Sequence, residues 1–178
     1  MKSIIQNTQN VQAILDGRKT QFRTPIKEEV FISEDTITFD NKTQCWFISD
    51  YIKEFAPHKD GDILYVKETF CELYENGKKI IAFKNDDRFD YIDYSVKWKP
   101  SIHLKQEDAR IFLKVTNVRV ERLNEISNED LKKEGLPSEI KTNHEVYCWW
   151  TTLWNSTAKD GSKWVDNPCV IVEDIERV

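Results

Sequence analysis

Ala13-Ile14-Leu15-Asp16-Gly17-Arg18-Lys19-Thr20-Gln21 is the stretch where a predicted helix gives way to the strands that follow it. The pattern predicts a short helix over about residues 8–16, because Val11 and Ile14 share one helical face. Gly17 suits the left-handed conformation that commonly ends a helix. The segment therefore orients the first strand relative to the first helix.

Two cations, Arg18 and Lys19, follow this helix directly. Cations at a helix end complement the helix dipole by roughly 0.3–1 kcal/mol, so an ordinary structural role is open to both. A ligand-binding role is open as well, because positive charge is concentrated near them. Residues 1–27 contain five cations against one anion, a balance of +4; the cations are Lys2, Arg18, Lys19, Arg23 and Lys27, and the anion is Asp16.

The whole chain has a net charge of −5 and a pI near 5.3. This acidic balance argues against a protein that coats nucleic acid non-specifically, since such binding depends on neutralising phosphates. A local basic segment on an acidic body fits a small anionic or nucleotide-like ligand, or simply a solvated surface.

Strand signals dominate the rest of the sequence. Asn76-Gly77 favours a hairpin, and Asp60-Gly61-Asp62 predicts a turn before another strand. Further helices are predicted after Ser127, ending at Gly135, and over residues 143–155. The predicted strands cover 30–32, 36–39, 45–48, 63–66, 71–74, 79–83, 111–120 and 169–172. Many strands with few short helices predict an α+β domain built as a mixed β-barrel.

Residues 84–100 are polar, acidic and aromatic, and we expect them to form a mobile loop. Loops of this length are often functional, but a surface insertion without a role explains the composition equally well.

Length and composition exclude several classes of protein. A chain of 178 residues with 39% hydrophobic content predicts one domain spanning residues 1–178. No stretch resembles a signal peptide or a membrane helix, so we expect a soluble cytoplasmic protein. The four cysteines and three histidines lack Cys-x-x-Cys spacing, so we expect no metal, no cofactor and no disulfide, with the cysteines mostly buried.

Several motifs together resemble the ASCH family. Gly17-Arg18-Lys19-Thr20 is similar to the opening signature of that family, in which a helix ends and runs into the first strand. The same order of motifs continues along most of the chain, at Gly61-Asp62-Ile63-Leu64, Arg119-Val120-Glu121 and Asp130-Leu131-Lys132-Lys133-Glu134-Gly135. Other segments resemble a phage and prophage branch of the family, at 66–70, 98–103, 109–112 and 153–156.

The resemblance implies a PUA-like pseudo-barrel with a few short flanking helices and a cleft beside the first helix. PUA-like domains commonly bind RNA or modified bases. One small ASCH branch hydrolyses acetylated cytidine with a Lys, a Thr three residues later and a Glu from a later helix. Here Lys19 and Glu134 match the Lys and the Glu, whereas Phe22 stands at the Thr position and cannot act as a nucleophile.

A second, independent observation favours a functional role for Glu134. A carboxylate in the last turn of a helix opposes the dipole, and such local conflicts are frequent at functional sites. Pairing with Lys19 would resolve the conflict; an exposed glutamate beside Lys132 or Lys133 is the alternative.

Further ligand contacts are expected from the motif residues. Glu68 or its neighbour Lys67 is expected to face the cleft. His103 could contact the ligand, and a purely structural role is the alternative. Phe22, Trp46 and Trp98 are stacking candidates, whereas the helical spacing of Trp149, Trp150 and Trp154 favours a place in the core. The expected ligand-binding residues are Arg18, Lys19, Thr20, Phe22, Arg23, Glu68, Ser101, His103 and Arg110.

The sequence thus supports three hypotheses. The first is a module that binds RNA, a modified nucleobase or a nucleotide-like ligand. The second is an amidohydrolase of an acylated nucleoside, in which Lys19 and Glu134 activate water. The third is a phage-encoded protein that engages a host protein or sequesters a nucleotide signal, for which the acidic aromatic loop is the only sequence support.

Overall fold

The computed structural model describes residues 1–26, 30–33, 36–39, 45–86 and 96–178, and for 30–33, 36–39 and 45–47 it describes the backbone alone. In chain order, the elements are β1 (Lys2–Ile5), α1 (Thr8–Leu15), β2 (Gln21–Pro25), β3 (Val30–Ser33), β4 (Thr36–Phe39), β5 (Cys45–Phe47), α2 (Ile48–Phe55), β6 (Ile63–Lys67), β7 (Phe70–Glu75), β8 (Lys78–Phe83), β9 (Phe112–Arg122), α3 (Asn128–Lys133), α4 (Asn143–Thr157) and β10 (Cys169–Arg177).

The largest sheet has the strand order β1-β6-β9-β10-β2. Strand β1 pairs in parallel with β6, and the other neighbours are antiparallel. Separate sheets are formed by β3-β4-β5 and by the β7-β8 hairpin. The α+β class predicted from the sequence is confirmed. Within the described residues the expected barrel is not closed by strand pairing, because the edge strands β1 and β2 flank a cavity instead of each other.

Strand β10 lies in the middle of the core and contributes side chains to both faces of the sheet. Val170 and Val172 pack with α4, whereas Ile171 packs against α2. This is the alternation that a strand imposes on successive residues. A shift in register between Asp174 and Ile175 changes the pattern, so that Ile175 joins the cluster under α1.

Most of the predicted elements are present. Helix α1 begins after Asn7, whose side chain accepts a hydrogen bond from the Asn10 backbone, and ends before Gly17. The predicted hairpin is β7-β8, and Asn76 and Gly77 have the positive φ values of 50° and 77° that its tight turn requires. Trp150 and Trp154 lie in the core, as their spacing predicted.

Two elements differ from the sequence prediction. Strand β1 was not anticipated, because its exposed residues show no clear alternation. Residue Ile48 begins α2 instead of extending β5, because Ile48, Tyr51, Ile52 and Phe55 recur at helical spacing and Tyr51 is buried.

The expected mobile loop lies mainly outside the described residues, which lack 87–95. Among the helices that are described, none combines the length and the apolar character needed to cross a membrane.

Candidate functional site

The end of α1 places Lys19 beside α3. Gly17 has a φ of +72°, and the backbone N–H groups of Arg18 and Lys19 both donate to the Ala13 carbonyl at 2.9 Å. Lys19 then forms an isolated antiparallel bridge with Glu134, and the Thr20 N–H donates to the Lys133 carbonyl at 2.8 Å. The turn therefore ties the start of β2 to the end of α3.

The end of α3 approaches α1 unusually closely. Ser127 caps the first turn of α3, as the sequence predicted, and Glu134 is its C-terminal capping residue. Gly135 follows with a φ of +95°, and a Cβ atom there would lie 3.1 Å from the Ala13 Cβ and 3.3 Å from the Lys19 Cβ. A glycine is required at this position both for the backbone conformation and for the close contact.

Glu134 is shared by two cations in the interior. Its Oε2 accepts from Lys19 Nζ at 2.7 Å, and its Oε1 accepts from Arg23 Nη1 at 2.6 Å. The side chains of Lys19, Glu134 and Arg23 are only 5%, 3% and 0% exposed. The expected pairing of Lys19 with Glu134 is present, and Arg23 joins the same cluster. Opposite charges at these distances offset the cost of burying each ion.

A larger polar network surrounds this cluster. Gln21 is buried, and its amide donates to Asp130 at 3.1 Å and to Asp174 at 2.6 Å. Arg23 also donates to the Gln21 side-chain oxygen, and to Glu121 at 2.7 Å. Arg119 extends the network by pairing with Glu121, Asp130 and Asp174.

The network lowers the pKa of two carboxyl groups. Burial alone would raise the pKa of Asp130, but hydrogen bonds from Gln21 and Ser127 and the charges of Arg119 and Arg23 outweigh it. The pKa of Asp174 falls for the same reasons, with burial opposed by hydrogen bonds from Asn117 and Gln21 and by nearby cations. Both groups therefore favour the anionic form more than a free aspartate does.

A cavity of about 310 Å³ lies beside the cluster, in the gap between the edge strands β1 and β2 and under α4. Lys19 Nζ is 5.1 Å from the centre of the Phe22 ring, and Arg23 Cζ is 5.9 Å from a Trp150 ring centre. Phe22 is mainly a core residue, since it is only 6% exposed, but it also lines this cavity. The lining residues are Ile4, Ile5, Gln6, Asn7, Asn10, Lys19, Phe22, Arg23, Thr24, Glu134, Trp150, Leu153, Trp154 and Thr157.

A second, more apolar cavity of about 780 Å³ lies between α1 and α4, and it shares Asn10, Glu134 and Leu153 with the first. Arg18 lines it together with Trp149. The Arg18 guanidinium is held by Asp16 at 2.8 Å and by the Gly135 carbonyl at 2.9 Å.

Glu68 and Arg110 form a separate cluster. Arg110 Nη2 donates to Glu68 at 2.8 Å, Nη1 donates to Asp86 at 3.3 Å, and the guanidinium lies 4.4 Å from the Phe83 ring centre. Neither Glu68 nor Arg110 lines the cavity beside Lys19. Lys67 lies outside the cleft as well, since its ammonium donates to the Ile102 carbonyl.

The remaining predicted ligand residues are spread out. Ser101 and His103 lie on a single 3-10 turn, where Ser101 is half-buried and His103 is exposed. Trp98 is half-buried, and the Trp46 side chain lies outside the described residues. Of the nine predicted ligand residues, the cavity lining brings together Lys19, Phe22 and Arg23, with the predicted catalytic Glu134 beside them.

Four members of the network were not predicted as site residues, although two of them belong to a motif of the family resemblance: Gln21, Arg119, Glu121 and Asp174. One signal was available, because Gln21 and Arg23 alternate along β2 and therefore share a face, and Lys19 continues the same spacing just before the strand. Asp130 was recognised as part of a helix cap and of a family motif, but not as a member of the site.

The cysteines offer little chemistry to the site. Burial raises the pKa of the Cys71 thiol, and the same effect dominates at Cys169. Cys71 and Cys169 are buried, as predicted for most of the cysteines, whereas Cys148 on α4 is exposed. In the described part of the chain, no group of three or more His, Cys, Asp or Glu side chains could hold a metal ion.

Comparisons with known proteins add one structural similarity. No family model matches the sequence, and none of the curated proteins matches it. Among solved structures, the chain is similar to protein EF3133 from Enterococcus faecalis V583, a protein of the family DUF984, with a TM-score of 0.46 and 11% sequence identity. That alignment covers 100% of this chain and 76% of the other.

Proposed function

We propose that the cavity beside Lys19 binds a single nucleobase or nucleoside. The observation that carries the proposal is the buried Glu134 carboxylate, shared between Lys19 and Arg23 at the wall of a cavity of about 310 Å³. A volume of this size is at the lower end of the range of small-molecule sites. It suits one flat heterocycle better than a polymer strand.

The rest of the lining has the properties that a base needs. Phe22, Trp150 and Trp154 supply aromatic walls, and contact between a base and an aromatic ring is worth roughly 1–3 kcal/mol. Gln6, Asn7 and Asn10 also line the cavity. Asn7 Oδ1 caps α1 and Asn10 Nδ2 donates to Gln6 Oε1 at 2.7 Å, and the other amide atoms of these side chains can pair with donors or acceptors of a base.

The charge of the cavity lining favours an uncharged base over the phosphates of a nucleic acid backbone. The lining contains two cations and one anion, a sum of +1, and Arg23 is additionally paired with Glu121 at 2.7 Å. A phosphate would have to compete with carboxylates for both cations. An uncharged heterocycle can accept from Lys19 or donate to Glu134 without removing either partner from the pair.

The resemblance to the ASCH family supports the same proposal from the sequence. Its opening motif contains Lys19, and its later helix contains Glu134, the two residues that meet in the cavity wall. The proposal that the chain is an ASCH-type domain of the phage and prophage branch rests on these motifs.

Calorimetric titration with cytidine, uridine, adenosine, guanosine and short RNA oligomers tests the proposal. We expect at least one nucleoside to bind, and Lys19→Met to weaken binding about tenfold or more, because hydrogen bonds from charged groups contribute about 1.5–3 kcal/mol. Lys132→Met is the matched control, since Lys132 is exposed on α3 and does not line the cavity.

Equal binding by the two lysine variants would refute the assignment of the cavity. Binding of RNA oligomers alone, with a steep dependence on salt, would instead indicate backbone recognition.

The buried Lys19–Glu134 pair also favours a second candidate function, hydrolysis of an acylated nucleoside. In that reaction, a water molecule positioned by Glu134 and Lys19 would add to the acyl carbon as its proton is removed. The C–N bond would then break, and a proton would pass to the departing amine. Phe22 offers no nucleophile, so attack would come from water.

Incubation with acetylated cytidine tests this second candidate. Turnover should be lost in both Lys19→Met and Glu134→Gln, whereas Lys132→Met should retain it. If the wild-type protein binds acetylated cytidine but releases no acetate, hydrolysis is excluded and the proposed binding function remains. The third hypothesis, a protein that engages a host protein or sequesters a nucleotide signal, depends on a loop that lies mainly outside the described residues.

A further inference from the structure

Strand β2 borders the cavity beside Lys19 with one of its two main-chain edges. It pairs with β10 on one side and, within the described residues, forms the edge of its sheet on the other. Two main-chain bonds fix how β2 and β10 meet. The Ile26 N–H donates to the Cys169 carbonyl, and the Ile175 N–H donates to the Thr20 carbonyl, both at 2.9 Å.

This register determines where the main chain of Arg23 points. In an antiparallel pair, the residues of a strand alternate between those that bond to the partner strand and those that do not. Since residues 20 and 26 bond to β10, Phe22 and Thr24 between them do so as well. The N–H and C=O of Arg23 therefore point to the free edge of β2. Among the described residues, no other main-chain or side-chain group bonds to either of them.

The accessible surface of Arg23 belongs to this main chain. The residue as a whole is 9% exposed, whereas its side chain is 0% exposed. Arg23 nevertheless lines the cavity, so its main chain is the part that meets the open space. Main-chain donors and acceptors need a partner in another strand, in water or in a ligand. A free donor and a free acceptor of one residue thus lie side by side in the cavity wall.

The Arg23 side chain holds this part of the strand in place. Its Nη1 donates to Glu134 at 2.6 Å and its Nη2 donates to Glu121 at 2.7 Å, so the residue is anchored from below while its main chain faces the cavity. The neighbours Phe22 and Thr24 are anchored by β10. Groups that are fixed before binding lose little conformational freedom when a ligand arrives.

We propose that the main-chain N–H and C=O of Arg23 recognise the hydrogen-bonding edge of the base, by pairing with an acceptor and an adjacent donor. A strand residue offers the same two groups to the residue opposite it in an antiparallel pair. Nucleobases present a matching edge: a ring N–H stands beside a carbonyl in uracil and guanine, and an amino group stands beside a ring nitrogen in cytosine and adenine. This inference rests on the proposed nucleoside site and assigns to it the group that recognises the base edge.

Amide hydrogen exchange of the wild-type protein, corrected for the intrinsic rate of each residue, tests the free edge without any ligand. We expect the Arg23 N–H to exchange faster than the N–H groups of Phe22 and Thr24, which bond to β10. Equal protection of the three amides would mean that the Arg23 N–H is already paired, and the inference would be wrong.

Titration of the wild-type protein with cytidine, uridine, adenosine and guanosine then tests the contact. On saturation with the nucleoside that binds most tightly, the amide ¹H and carbonyl ¹³C resonances of Arg23 should both move downfield. The Arg23 amide should also exchange at least roughly threefold to tenfold more slowly, the protection that one hydrogen bond provides. Thr24 is the matched control: it lines the same cavity, but its main chain faces β10, so its two resonances should move less.

The outcomes distinguish this inference from the function on which it rests. Suppose that a nucleoside binds and that Lys19→Met weakens its binding, while the Arg23 resonances of the wild-type protein stay in place. The role of the Arg23 main chain would then be overturned and the proposed site would remain. Failure of every nucleoside to bind the wild-type protein would overturn both.

Discussion

At the scale of single residues, Glu134 holds the charge balance of the site. Each of its two oxygens accepts from a different buried cation, Lys19 or Arg23. Removing one member of a buried ion pair leaves the partner charge uncompensated, which typically costs about 3–5 kcal/mol. Glu134 is thus important for stability, in addition to the role in ligand recognition that we propose for it.

We expect Glu134→Gln to lower the free energy of unfolding by about 3 kcal/mol, because the amide keeps the shape of the side chain but removes its charge. Urea denaturation followed by tryptophan fluorescence measures the change. The control is Glu129→Gln, which removes a carboxylate from the first turn of the same helix, where it is exposed. A loss no larger than that of the control would show that the two cations do not depend on Glu134.

Part of this residue-level chemistry could be predicted from the sequence. The Lys19–Glu134 pair follows from the motif spacing and from the unfavourable position of a carboxylate at a helix end. Glu68 and Arg110 were both expected to bind the ligand. The sequence did not indicate that their side chains would instead pair with each other away from the cavity. Charged side chains pair with opposite charges that lie close to them in the folded chain, and a single sequence does not contain these distances.

At the scale of elements, the junction of α1 and α3 positions the cluster. Gly135 lets the end of α3 lie close to Ala13 and Lys19, because an added Cβ atom would be only 3.1 Å from the Ala13 Cβ and 3.3 Å from the Lys19 Cβ, so these neighbours would have to shift. Gly135 directly follows Glu134, whose carboxylate pairs with Lys19 at 2.7 Å. The glycine at this position is therefore part of the site, although it offers no chemistry itself.

We expect Gly135→Ala to destabilise the protein by an overpacking cost of about 1–3 kcal/mol, added to the roughly 1–2 kcal/mol of a left-handed alanine. Gly61→Ala is the matched control. Gly61 has a similar φ of +84°, but nothing lies within 4 Å of its added Cβ atom. Chemical denaturation measures the loss in free energy of unfolding for both variants, and the difference between the two losses is the packing cost. Equal losses would contradict the close contact at Gly135.

The helices and strands differ in how clearly the local sequence predicts them. Helix α1, the β7-β8 hairpin and α4 were predictable because a cap, an Asn-Gly turn and an apolar periodicity mark them locally. Strand β1 was missed because its partner β6 lies about 60 residues away and its own pattern is weak. The network around Gln21 was missed for the same reason, since its partner Asp174 is 153 residues distant.

At the scale of the whole molecule, the opening in the main sheet accounts for the cavity. Strands β1 and β2 are its edges in the described residues, and side chains from both line the space between them. Edge strands carry backbone donors and acceptors that a neighbouring strand would otherwise use. The gap between these two edges, covered by α4, is thus the place where the cavity with its mixed polar and apolar lining forms.

The polar network beside this opening makes stability depend on pH. The pKa values of Asp130 and Asp174 are lowered from the ordinary 3.8 in the folded protein. A carboxyl group with a lowered folded pKa contributes stability above its unfolded pKa, and this contribution is lost as the pH falls toward the folded value. The free energy of unfolding should therefore decrease as the pH drops below about 4.

Urea denaturation between about pH 5 and pH 3 measures this decrease. Asp130→Asn should be less stable than the wild type near neutral pH and should lose less stability on acidification. An unchanged slope in Asp130→Asn would show that Asp130 does not contribute to the acid sensitivity.

The central claim is that the cavity bounded by Lys19, Glu134, Phe22 and Trp150 holds a nucleobase. A crystal structure of the protein with its tightest-binding nucleoside tests this claim most directly. The account predicts the base between the aromatic walls of the cavity, within hydrogen-bonding distance of the Lys19–Glu134 pair. A nucleoside found in the larger cavity beside Arg18 and Trp149, or on the outer surface, would contradict it.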